Sequence, residues 1–139
     1  MPTKRWVNIR IESDSGDERT QFSAKGELYI KKDTTYLRYE ETDSSDGKTM
    51  NTLKLMPGEL LRIIRRGEIE SDLNFVPNER TLGIYSTGYG RMEFDVYTHK
   101  ISFSGLQQGM GNLSWHYDLF EGENLLGSFK ITMDITPAD

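Results

Sequence analysis

Leu113-Ser114-Trp115-His116-Tyr117-Asp118-Leu119 and, a short reversal later, Ser128-Phe129-Lys130-Ile131-Thr132-Met133-Asp134-Ile135 decide the fold. In the first stretch Leu113, Trp115, Tyr117 and Leu119 share one face, with Ser114, His116 and Asp118 on the other. In the second, Phe129, Ile131, Met133 and Ile135 alternate with Ser128, Lys130, Thr132 and Asp134. A period of two is the signature of a strand with one dry and one wet side.

Parity constrains how these two runs pair. Leu113 to Leu119 must face the same core as Leu125, Gly127, Phe129 and Ile131, so opposed residue numbers sum to an even value. A plain two-residue turn at Gly122-Glu123 would push one apolar set into water. The expectation is a three- or five-residue loop, or a bulge. With Glu121-Gly122-Glu123 as the loop, Trp115 faces Phe129, and Tyr117 covers Gly127.

Working outward, the rest of the chain reads the same way. Short β-rich runs are separated by turn signals, as in all-β sandwiches and barrels, and no long window carries helical periodicity. The runs are Trp6–Glu12, Arg19–Lys31 with a bend near Gly26, Thr35–Thr42, Lys48–Met56, Glu59–Arg66, Ile69–Val76, Arg80–Ser86, Arg91–Phe103, Met110–Phe120 and Leu125–Ile135. Ser13–Asp17 and Asp43–Gly47 are Asx/Gly loops, and Pro57-Gly58 suits the two central positions of a type II turn. Met92, Phe94 and Val96 are even-numbered but Ile101 and Phe103 are odd, so a bulge is expected near Thr98–Lys100. Linkers this short force antiparallel neighbours, and a long meander escapes exposed edges by closing. The expected fold is all-β: one domain over residues 1–139, a closed antiparallel meander barrel of about eight to ten strands.

Composition narrows function by exclusion. The chain has 139 residues, 17 basic and 22 acidic side chains, a net charge of −5 and no cysteine. Thiolate chemistry, disulfides and Cys-ligated metals are out. Mild acidity disfavours nucleic acid, and the Arg62, Arg65, Arg66 cluster is too small for a duplex footprint. The chain has seven Tyr, six Phe and two Trp, but Tyr39 stands beside Glu40 and Phe94 between Glu93 and Asp95, where a nucleic-acid binder would place Lys or Arg, so core packing is the preferred reading. No signal peptide or membrane span is evident, so a soluble cytoplasmic protein is expected.

No motif declares a chemistry, and an enzyme is not expected. Ser114-x-His116-x-Asp118 holds triad residue types, but alternate strand positions lie about 6.5–7 Å apart, too far for nucleophile and base. His99 and His116 are the only histidines, and pairing of their strands near a residue sum of 215–216 would bring them together. With Asp118 they offer a two-His, one-carboxylate set. Nothing in the sequence fixes the third ligand, and exposed histidines on a polar face are the preferred reading, so no metal or other cofactor is expected. Asp43–Gly47 lacks the later Glu of a calcium loop, and Gly105–Gly111 lacks the Lys-Ser/Thr of a phosphate cradle.

A polar pair stands out at the barrel interior. If Leu37 and Tyr39 face in, Glu41 follows; if Leu61 and Ile63 face in, Arg65 follows. An inward Glu41–Arg65 pair either holds a ligand's polar head or serves as a structural ion pair. The candidate ligand-binding residues are Arg65, Glu41, Tyr39, Phe94, Trp115 and Tyr117. Leu60 and Ile64 make the strand Glu59–Arg66 apolar on both faces, which hints at a covered outer surface such as a dimer seam.

The order of several short stretches resembles the YwiB-like family of small bacterial proteins of unknown function. The stretches are Gly26-Glu27-Leu28-Tyr29, Leu37-Arg38-Tyr39-Glu40-Glu41, Arg65-Arg66-Gly67 followed by Phe75, and Tyr85-Ser86-Thr87-Gly88-Tyr89-Gly90 with Thr98. The similarity runs from Val7 to Ile135. It implies a calycin-type, lipocalin-like β-barrel and supplies no catalytic residue. The Gly-x-Trp opening of true lipocalins is absent, since Lys4-Arg5 precede Trp6, and the adjacent Arg38 and Tyr39 face apart, unlike a fatty-acid carrier's carboxylate clamp.

Two functions fit these observations. One is a non-enzymatic barrel that binds a small, partly apolar molecule. The other is a solid-core barrel acting as a protein-interaction or homodimerisation module. The partners expected are therefore a small molecule or a second copy, with no nucleic acid and no membrane.

Overall fold

The computed structural model describes residues 4–42 and 48–138; the Asp43–Gly47 loop read as an Asx/Gly reversal lies outside the described residues. Ten strands follow one another: β1 (Arg5–Asp14), β2 (Arg19–Lys31), β3 (Thr34–Thr42), β4 (Lys48–Met56), β5 (Leu60–Gly67), β6 (Glu70–Phe75), β7 (Arg80–Thr87), β8 (Gly90–Ser104), β9 (Gly111–Glu121) and β10 (Asn124–Pro137). Each pairs antiparallel with the one before, and β1 pairs with β10 from Val7↔Pro137 to Asp14↔Lys130. The sheet is thus a closed ten-stranded cylinder with no edge left among these strands. No helix among the described residues is long and apolar enough to cross a membrane.

The alternation read from the sequence is what fills the cylinder. Val7, Ile9 and Ile11 on β1, Leu53 and Leu55 on β4, Leu113 and Trp115 on β9, and Met133 and Ile135 on β10 are all buried. Each such side chain contributes about 1.5–3 kcal/mol on leaving water. Pro57-Gly58 turns as expected, with Gly58 at φ +86°. The Gly105–Gly111 segment is more than a loop. Leu106–Gln108 forms one turn of 3-10 helix, and Leu106 joins the core at the end of the barrel where β8 passes to β9. Arg5 Nη1 ties this turn down by donating to the Gln108 carbonyl at 2.8 Å.

Parity is satisfied in the last hairpin by a bulge, not by a three-residue loop. Glu121 opposes Asn124 across the Gly122-Glu123 turn, Leu125 opposes Phe120, and then Leu126 is skipped so that Gly127 opposes Leu119. Two expectations are thereby corrected. Leu125 does not face the core; it and Leu126 are exposed at the bulge. Trp115 lies opposite Ile131, and Phe129 opposite Tyr117, two residues along β10 from the expected pairing. It is Phe129 along the same strand, not Tyr117, that crowds Gly127, with ring atoms 3.1 Å from where a Cβ would sit.

The second bulge falls where the phase change demanded it, between Thr98 and Lys100 of β8. Gly26 is different: the β1–β2 register runs through it without a shift. Glycine is needed there for close approach, because a Cβ would lie 2.5 Å from the Arg38 carbonyl oxygen. On the second apolar face of β5, Leu60 and Ile64 are half-buried in the single chain.

Candidate functional site

Lumen-facing polar residues gather at one end of the cylinder. The antiparallel register places the ends of β1, β3 and β5 and the starts of β2, β4 and β6 at the same rim. Glu41 opposes Thr49, Asn51 opposes Arg65, and Arg65 opposes Ser71, so a polar belt crosses four adjacent strands. Thr49, Asn51 and Ser71 are buried. Arg65 Nη2 donates to Glu41 Oε1 at 2.9 Å, and Asn51 Nδ2 donates to the same oxygen at 3.2 Å. The inward Glu41–Arg65 pair inferred from alternation is therefore present.

Gly67 sits beside this belt, opposite Thr49, where β4 and β5 approach closely. Its φ of +148° and a hypothetical Cβ only 2.1 Å from the Lys48 carbonyl oxygen restrict the position to glycine. That close approach brings β4 against β5 next to Arg65 and Asn51.

Below the belt lies a cup of about 270 Å³, closed at its floor by aromatic rings. Phe75 meets Tyr117 edge-on at 4.9 Å and Trp115 at 6.0 Å between centroids, and Tyr117 stacks on Phe129 at 5.4 Å. Tyr39, Glu41, Arg65, Trp115 and Tyr117 all line the cup; Phe94 does not, and packs instead beside Tyr85 with 6.4 Å between rings. Two residues that line the cup carry a buried N–H with no acceptor among the described residues: Arg65 at Nε and Trp115 at Nε1. Burial holds both phenols neutral. The Tyr39 hydroxyl is pushed well above its ordinary pKa by desolvation, with the Glu41 carboxylate adding to it. Desolvation pushes Tyr117 up to about 12, against the opposing pull of Arg65.

Comparison with known proteins places this architecture. Residues 6–133 match the family described as a domain of unknown function, DUF1934. The chain belongs to the DUF1934 family. It is 31% identical over 122 residues to the "Uncharacterized beta-barrel protein YwiB" of Bacillus subtilis (strain 168), an overlap covering 88% of this chain and 84% of that protein. The resemblance read from the sequence is thus borne out. The crystal structure of ywiB protein from Bacillus subtilis superposes with a TM-score of 0.85 at 22% identity, over 98% of this chain and 94% of that one. At that identity the superposition speaks for the fold alone.

In this DUF1934 barrel the cup also uses residues that sequence reading passed over. Asn51, Ile63, Leu73 and Phe75 line it. Asn51 was accessible to the same parity reasoning, since Thr49, Asn51, Leu53 and Leu55 share a face of β4; a polar residue in an otherwise dry row is the informative exception. Phe75 carried no signal of its own, because its position over the floor follows from barrel closure.

On the outer wall, the triad residue types do not assemble. Ser114 opposes Ser102 and Thr132, while the Asp118 hydrogen bonds run to His99 and Ser128. The structure does bring His99, His116 and Asp118 together, with the two imidazole centroids 4.6 Å apart.

Proposed function

We propose that this DUF1934 barrel is a non-enzymatic binding protein that takes a small, partly apolar molecule into the cup under the Glu41–Arg65 belt. One observation carries the reading: two residues that line the cup, Arg65 and Trp115, each carry a buried N–H with no partner among the described residues, beside an aromatic floor. An unpaired buried donor costs about 1–3 kcal/mol, and a bound acceptor would remove that cost. The ligand class follows: a compact apolar body ending in a carbonyl, carboxylate or hydroxyl acceptor. The volume, about 270 Å³, sits at the lower edge of the usual range for small-molecule sites, which begins near 300 Å³, so long lipids are disfavoured.

Charge points the same way. Arg65 is already matched by Glu41, so the belt is close to neutral and selects for hydrogen-bond acceptors more than for net charge. The absence of cysteine suits a reducing compartment, and we place this activity in the cytoplasm. The calycin-like character implied by the sequence resemblance fits a cup-bearing barrel.

Native mass spectrometry of freshly purified protein, followed by thermal-shift screening with small carboxylates, amides and alcohols, tests the proposal. A retained mass or a saturable rise in melting temperature, abolished in Arg65→Met, is the expected result. A bare chain with no shift across the panel overturns it.

A further inference from the structure

The two histidines of this chain lie on different strands, and both end at one place on the outer wall. His99 is the extra residue of the β8 bulge, between Thr98↔Tyr117 and Lys100↔His116. The bulge puts two consecutive outward side chains, His99 and Lys100, opposite the single His116. Bulges near functional sites characteristically re-aim a side chain in this way. His99 Nε2 sits 2.9 Å from Asp118 Oδ2, and one ligating atom from each of His99, His116 and Asp118 lies within 4.8 Å of the others.

We infer that His99, His116 and Asp118 form a binding site for a divalent late first-row transition metal, with zinc as the simplest occupant. Two imidazoles and one carboxylate are the donor set such ions prefer, and three protein ligands leave a position open. With metal–ligand bonds of about 2.0–2.1 Å, tetrahedral ligands stand roughly 3.3 Å apart. Closing the existing spacings, within 4.8 Å, to that value calls for rotation of the two exposed imidazoles. The ion replaces the His99–Asp118 hydrogen bond.

The carboxylate is already oriented. Ser128 Oγ, on β10, donates to Asp118 Oδ1 at 2.7 Å and leaves Oδ2 toward the imidazoles. Ligand carboxylates and imidazoles are typically held by such outer partners.

The surroundings set selectivity. Lys100 and Lys130 oppose His116 on either side, so this is not an acidic patch that collects any cation. Calcium and magnesium, which want several oxygens, find one carboxylate and two flanking ammonium groups. Ions that bind imidazole are compensated by nitrogen ligation. The site faces outward while the cup faces the lumen, so the two readings stand or fall separately.

The test uses untagged, metal-stripped full-length protein titrated calorimetrically with zinc chloride, then with magnesium and calcium. The expected result is one zinc per chain and no response to magnesium or calcium. His99→Gln and His116→Gln each weaken zinc binding by more than tenfold without changing the metal-free melting temperature, and Ser128→Ala weakens it by about tenfold through Asp118 alone. The histidine variants alter only exposed side chains, so they keep the test valid if a change at Asp118 harms folding. Absence of saturable zinc binding, or zinc binding that survives either histidine substitution, overturns the inference; the latter outcome marks adventitious surface binding.

Discussion

At the scale of single residues, the cup depends on groups with distinct jobs. Trp115 supplies both bulk and an N–H. Trp115→Phe keeps an aromatic ring but removes the donor and part of the indole's buried volume, so it should cost about 1–3 kcal/mol of stability while ligand affinity falls severalfold. Chemical denaturation and ligand titration of the same variant read the two effects apart. The Glu41–Arg65 pair is partly open to water, with side-chain exposures of 33% and 23%, so its contribution lies nearer that of a surface pair than of a sealed one. A double-mutant cycle on Arg65→Ala and Glu41→Ala should give a coupling of about 1 kcal/mol. The pKa shifts define the pH limits. On β6, Asp72 is held below the ordinary carboxylate range by its hydrogen bonds to Arg62 at 2.7 and 3.0 Å. A carboxyl depressed in the fold stabilises it above the unfolded value of about 4, and that stability is lost as the pH falls further. Urea midpoints measured against pH should therefore drop on the acid side, and Asp72→Asn should flatten part of that slope. The raised tyrosines act at the other limit. Tyr117, at about 12, contributes stability that is intact below pH ~10 and lost as the pH climbs from there through the folded value.

At the scale of elements, the two bulges show how far alternation alone can be read. The β8 bulge was legible because the apolar set itself changes phase between Val96 and Ile101. The β10 bulge was legible as a need but not as a place. Both a longer turn and a skipped residue satisfy the parity of Trp115 and Ile131, and the apolar character of Leu125 and Leu126 favoured the wrong one. What decides it is the turn: a two-residue reversal at Gly122-Glu123, tied by Arg80, which reaches the Gly122 carbonyl and lies over the Phe120 ring at 4.5 Å. That tether is a long-range contact with no local sequence signal. The bulge makes a sharp prediction. Deleting Leu126 leaves Gly127 opposite Leu119 and every later pair unchanged, so the variant should fold with a loss below about 1 kcal/mol. Deleting Thr132, well past the bulge, puts either Gly127–Ile131 or everything after it one residue out of register and turns part of the apolar row outward, so that chain should be far less stable. Circular dichroism and thermal melting distinguish the two. Gly67→Ala belongs at this scale as well. It should cost at least about 1–3 kcal/mol, because the β4–β5 approach it permits has no room for a methyl group.

At the scale of the whole molecule, the cylinder sorts its residues by height as well as by face. Apolar side chains and Leu106 fill one end, an aromatic layer crosses the middle, and the belt of Glu41, Thr49, Asn51, Arg65 and Ser71 lines the other. The sequence declares the faces through its period of two but not the heights, since those follow from the strand register around a closed ring. Hence five of the six residues proposed from the sequence line one cup, while Phe94, on the inward face of its own strand, lies away from it. The seam between β1 and β10 is an ordinary ladder of eight pairs, so hydrogen exchange there should be as slow as in the β3–β4 ladder. Fast exchange confined to β1 and β10 would mean an open sheet.

The indole N–H signals provide the most direct measurement of the central claim, that the closed barrel keeps a donor-lined cup for a small acceptor-bearing molecule. The chain has two tryptophans, one in the cup wall and one, Trp6, exposed on the outer surface as an internal control. In a titration with small carboxylates and amides followed by nuclear magnetic resonance, the Trp115 indole N–H should shift saturably while that of Trp6 stays still. A Trp115 signal that no compound moves, or one that moves only in step with Trp6, would contradict the claim.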